Sequence, residues 1–100
     1  MTVEAYLARL TAIMKEHMAI MAEAQKLAKH RNLRDRWDAH DMVPRGNNAI
    51  RELRKNAARY QGCDPKEPCN EQMLHALAYF EDILKDTYKR LEYVRSLTAY

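Results

Sequence analysis

Six cations, Arg36, Arg45, Arg51, Arg54, Lys55 and Arg59, crowd the middle of this chain, and its single tryptophan, Trp37, stands beside them. Guanidinium groups pair with phosphates and carboxylates, often through two hydrogen bonds at once, and an indole stacks on flat ligands. Such a set suits an anionic partner. Residues 26–59 hold ten lysines and arginines against four acids, while both flanks carry more acids than bases, within an overall net charge of +3. An anionic partner would therefore meet the middle and be repelled elsewhere. The expected target is an acidic protein surface, with nucleic acid as the alternative.

Other residues have the chemistry of ligands without the spacing. His17 sits among Met14, Met18 and Met21, soft donors that suit copper or a haem iron. No second histidine or cysteine lies one turn away, so a helical core with a register-setting histidine is the simpler reading. Cys63 and Cys69 are six apart, with His75 six further on and His40 distant. A structural zinc site pairs cysteines two to four residues apart and needs four ligands. Asp38, His40 and Asp41 read as a solvated turn. No metal or cofactor is expected.

Arg34 precedes His40 by six residues. This pair resembles that of the HEPN ribonucleases, all-helical proteins in which an arginine and a histidine act on RNA across a dimer interface. The resemblance covers two residues and implies RNA cleavage by Arg34 and His40. The order of long, short and long helices is similar in outline to the small helical chorismate mutases, which are interlocked dimers. That fold implies arginines in a buried anion site, and the first helix here offers only Arg9 in a comparable place. Glycine-rich phosphate loops, paired buried acids and dense ligand clusters are all missing, so the chain reads as a non-enzyme. A small helical enzyme, HEPN-like or mutase-like, is the second alternative.

These residues are carried by two helical stripes around the basic middle. Val3, Leu7, Leu10, Met14, His17, Met21, Ala24 and Ala28 recur at gaps of four and three. Met73, Leu77, Phe80, Leu84, Thr87, Leu91, Val94 and Thr98 do the same. Each set lies along one helix face in a near-heptad seam. Tyr6, Ile13, Ile20 and Leu27 add a second row to the first helix, and Tyr79, Tyr93 and Tyr100 add one to the last. Tyrosine suits interfaces because its ring is apolar and its hydroxyl tolerates water.

Both glycines and all three prolines fall between Pro44 and Pro68. The expected elements are a long helix over about 3–30 or further, a short basic helix over 48–60, and a long helix over 70–98. Thr2 caps the first helix and Asn70 the last. Pro44 to Asn48 reads as a loop, with Asn47 or Asn48 capping the short helix and Gly62 ending it. No apolar run approaches a membrane span.

The fold class is all-α: one domain over 1–100, a small bundle of two long helices flanking a short one. A short helix covers only part of two long apolar faces, so a homodimer is expected. The reading is a non-enzymatic, cytoplasmic interaction protein, a regulator or inhibitor of a larger machine. Its partner would be bound through Arg36, Trp37, Arg45, Arg51, Arg54, Lys55, Arg59, Tyr79 and Tyr93.

Overall fold

Helix α1 (Val3–Leu27) starts at a cap that its own sequence supplies: Thr2 Oγ1 accepts the amide of Ala5 at 3.2 Å. A distant loop completes that cap. The amides of Val3 and Glu4 donate to the carbonyls of Glu67 (2.8 Å) and Pro65 (3.0 Å), so the proline-bearing turn satisfies donors that every helix start leaves open. The computed structural model describes residues 1–99; Tyr100, expected at the end of the tyrosine row, lies outside the described residues.

After α1 the chain turns a corner through a 3-10 turn (Arg31–Leu33) and a single helical turn, α2 (Trp37–His40). No glycine or proline makes this corner. Local side chains take over its backbone groups instead: His30 Nδ1 accepts the amide of Asn32 (3.1 Å) and Asp38 Oδ1 that of Ala39 (3.1 Å). Leu33 and Ala39 bury the inside of the turn. Helix α3 (Met42–Tyr60) returns, a loop follows, and α4 (Glu71–Ser96) runs to a final 3-10 turn (Leu97–Ala99). Asn70 Oδ1 caps α4 by accepting the amide of Met73 at 2.8 Å.

Cross-helix contacts give the directions. Arg9 donates to Glu81 (Nη2 to Oε2, 2.9 Å), Tyr88 to Glu16 (2.7 Å) and Arg95 to Glu23 (Nη2 to Oε1, 2.6 Å), each pair 72 residues apart. A constant offset means that α1 and α4 are parallel, stitched once per heptad. The edge-on Tyr6–Tyr60 ring pair, at 5.8 Å, puts the end of α3 beside the start of α1, so α3 is antiparallel to both. Helices α3 and α4 each pack along α1 and touch one another only slightly. The result is an all-helical rod of 51 × 17 × 15 Å, and among the described residues no helix is long and apolar enough to cross a membrane.

The buried stripe of α1 is Val3, Tyr6, Leu10, Ile13, His17, Ile20 and Ala24. This corrects the seam read from sequence. Its central row is buried, and so are Tyr6, Ile13 and Ile20 of the expected second row, whereas the seam's other members Leu7, Met14 and Met21 are only half-buried. Arg9, Glu16 and Glu23 face α4, and Met21 meets α3. Tyr6, Ile13 and Ile20 lie between the central row and the α4 side. Met73, Phe80, Leu84, Leu91 and Val94 are the buried face of α4, all members of the expected seam.

Three expectations about the middle change. Helix α3 begins at Met42, not Asn48, so Pro44-Arg45-Gly46-Asn47-Asn48 is helix and neither asparagine is a cap. Pro44 is tolerated because it is the third helical residue, where a missing amide breaks no intrahelical bond. Gly46 is buried, and a Cβ there would fall on Cγ and Sδ of Met21, so the glycine marks a close approach of α3 to α1. Gly62 has no positive φ and so does not close α3 by a left-handed cap. Finally, α1 stops at Leu27 and not near residue 30.

His17 is 1% exposed, and its Nδ1 has no hydrogen-bond partner among the described residues. Burial lowers its pKa from the ordinary 6.5, with the nearby Glu16 charge opposing that shift. The unfolded chain thus binds the proton more readily than the folded one. Stability should be full above about pH 6.5 and fall as pH drops below it, by no more than ~1.4 kcal/mol per pH unit for one group. Thermal unfolding between pH 8 and pH 5 should show this fall in the wild type, and His17→Leu should flatten it. Gly46→Leu should cost about 1–3 kcal/mol by overpacking despite its better helix propensity. Much of that loss should return in Gly46→Leu with Met21→Ala, as read by denaturant unfolding.

Candidate functional site

Because α3 leans on α1 and barely on α4, each of its flanks opens a groove. On the α1 side, Arg51, Arg54 and Lys55 stand over a floor of Met18, Met21, Ile50 and Ala58. Met18 is 53% exposed, so this floor is open to solvent. Of the three cations, Arg51 donates to Asn48 Oδ1 (3.1 Å) and Lys55 lies 3.6 Å from Glu52. Both contacts are local and solvent-exposed, so they hold the side chains weakly. Three cations beside exposed Met18 and half-buried Met21 make a surface that is both charged and apolar. Arg59 is exposed further along α3.

The other groove, of about 860 Å³, lies between α3 and α4. Met42, Ala49, Phe80 and Ile83 form its apolar part. Trp37 and Tyr79, 69% and 61% exposed, are its aromatic residues, with Tyr79 edge-on to Phe80 at 5.6 Å. Arg45, Glu52, Asp82, Asp86 and Arg90 line it as well.

The expected partner-binding residues are therefore divided among three places. Arg51, Arg54 and Lys55 share the α1 side of α3, while Trp37, Arg45 and Tyr79 share the α4 side. Arg36, Arg59 and Tyr93 line neither groove. Arg36 forks onto Asp38 (2.9 and 3.2 Å), donates to Tyr93 Oη (2.9 Å) and lies 5.9 Å from that ring's centre. The hydrogen bonds that Arg36 donates to Asp38 raise the Arg36 pKa and lower that of Asp38, as a charge-assisted pair does. Arg36 is thereby spoken for, a clasp between the corner and α4. Arg45 is paired one turn back with Asp41.

Sequence reasoning missed Met18, Met21 and Ile50 as a floor, because methionine and isoleucine on a helix read as core. It also missed Asp82, Asp86 and Arg90, although their four-residue spacing on α4 was available as a signal.

His40, the histidine of the HEPN-like pair, serves the corner. Its Nε2 lies 3.1 Å from the Leu33 carbonyl and 2.9 Å from that of Arg34, so this nitrogen carries the proton and donates it. Arg34 is an exposed side chain whose backbone, not its guanidinium, meets the imidazole. Cys63 and Cys69 are free thiols, and Cys69 Sγ donates to the Thr2 carbonyl at 3.3 Å. Among the described residues no three histidine, cysteine or acidic side chains gather in a metal-binding group. No protein-family model, curated protein or solved structure matches this chain.

A structural His40 has a measurable signature. His40→Ala should lower stability by about 0.5–1.5 kcal/mol through the lost turn hydrogen bonds. Amide exchange should quicken at residues 33–41 and stay unchanged along α4.

Proposed function

We propose that this chain is a non-enzymatic helical interaction protein that acts as a homodimer and binds an acidic amphipathic helix of a partner protein along the α1/α3 groove. One observation carries the reading: Arg51, Arg54 and Lys55 stand over exposed Met18 and half-buried Met21. A helix lying in a groove presents apolar anchors every three or four residues and charge on its flanks. Methionine is a flexible and polarizable floor for such anchors. The carboxylates of an acidic helix would meet the three cations. A phosphate backbone would use the cations and leave the methionines wet, which is why protein is favoured over nucleic acid.

The engagement of His40 in the corner supports a binding role over the ribonuclease alternative. Two free thiols suit a reducing compartment such as the cytoplasm. Occluding an acidic helix in a larger assembly is how a protein of this kind would regulate or inhibit.

The test uses a labelled synthetic helix of leucine and glutamate with leucines at helical spacing, polyglutamate without leucine, and a short DNA duplex. Fluorescence anisotropy should show saturable binding of the amphipathic helix, weaker binding of polyglutamate, and a decline with added salt. Arg51→Glu with Arg54→Glu should weaken the helix about tenfold or more. The same variant should melt within about 0.5 kcal/mol of the wild type, since both side chains are exposed. Binding of the duplex as tightly as the amphipathic helix would transfer the function to nucleic acid.

A further inference from the structure

We infer that the α3/α4 groove is a second docking site, for an arginine-bearing amphipathic helix of a partner protein, with one of its arginines seated on Tyr79 and Asp82. This goes beyond the binding reading above, which concerns the other flank of α3. Its first ground is charge. With every charged lining residue counted, Asp41, Glu52, Asp82 and Asp86 stand against Arg45 and Arg90, an excess of two acids. The α1/α3 groove has three cations and no acid. The two flanks of one helix thus carry opposite signs, in a chain whose overall charge is +3. A phosphate or an acidic helix is repelled from the α4 side, and a cationic helix is drawn to it.

The second ground is what the groove leaves unused. Arg45 is held by Asp41, and Arg90 lies 3.6 Å from Asp86, so an acid of the groove answers each of its own cations. Glu52 lies 3.6 Å from Lys55. Asp82 has no ion-pair partner among the described residues. Tyr79 is 61% exposed and precedes Asp82 by three residues on α4, so ring and carboxylate are neighbours on one face. A guanidinium stacks on such a ring and forks onto such a carboxylate at once, whereas an ammonium is a compact point charge without that planar fork. The chain holds one arginine of its own with the same two groups. Arg36 forks onto Asp38 and lies 5.9 Å from the centre of the Tyr93 ring. Among the described residues no cation of this chain does the same at Tyr79 and Asp82. Met42, Ala49, Phe80 and Ile83 accept the apolar side of the same helix. From Tyr79 to Arg90 the α4 wall runs roughly 16 Å at ~1.5 Å per residue, room for about three turns.

The test uses three labelled synthetic helices with leucines at helical spacing, their charged positions filled by arginine, by lysine or by glutamate. Fluorescence anisotropy at low salt should show saturable binding of the arginine helix, about threefold or more tighter than the lysine helix. Tyr79→Ala and Asp82→Asn should each weaken the arginine helix about two- to fivefold, and the double variant about tenfold. Both side chains are exposed, so circular dichroism of each variant should match the wild type. Arg51→Glu with Arg54→Glu should leave the arginine helix bound at least as tightly as in the wild type, which separates this site from the α1/α3 groove. Trp37, the only tryptophan, should shift its emission to the blue as the arginine helix fills the groove. Equal affinity for the lysine helix would overturn the arginine seat, as would binding untouched by the double variant. A red shift of Trp37 when the wild type alone is diluted would place a second copy in the groove and overturn the proposal.

Discussion

The parallel pairing of α1 with α4, held at a constant 72-residue offset by Arg9–Glu81, Glu16–Tyr88 and Glu23–Arg95, sets the terms for everything else in the molecule. Parallel neighbours cannot be joined by a short turn, so a third element has to bring the chain back. That element is α3, and the face of α1 must serve it as well as α4. The central row of Val3, Leu10, His17 and Ala24 lies between the two partners and is almost wholly excluded from water. Since both partners lean on α1 and hardly on each other, grooves remain on either side of α3.

Much of this was legible in residue spacing. Both long helices, their caps at Thr2 and Asn70, and the inward face of α4 follow from periodicity and cap chemistry. Which of the two outer rows on α1 is buried more deeply was not legible. Tyr6, Ile13 and Ile20 compete with Leu7, Met14 and Met21, both rows are apolar, and only the position of α4 decides between them. The middle helix was read as too short because Pro44 and Gly46 are breakers in isolation. Their tertiary setting, a first helical turn and a close approach to Met21, removes the reason to break.

The candidate surfaces were legible as residue types and not as places. Arginines cluster in sequence between Arg36 and Arg59, yet what each does depends on acids brought by folding. Arg36 is absorbed by Asp38 and Tyr93, and Arg45 leans on Asp41, whereas Arg51 and Lys55 keep only weak local contacts. The α3/α4 groove was invisible beforehand. It exists because of an absence of packing between two helices, and no pattern within either helix announces that.

The loop at Pro65–Glu67 links the order of synthesis to the order of folding. Helix α1 is made first, yet the carbonyls that complete its cap and the helix that zips along it both come later. Until α4 is made, the α4 side of α1, including Ile13 and Ile20, stays uncovered. Helix α3, made earlier, packs on the opposite, Met21 side of α1 and leaves that face open. Closing the α1–α4 seam then joins residues far apart in sequence, which costs loop entropy before contacts reward it. Ile13 and Ile20, in the middle of the first helix made, therefore owe their burial to the last one.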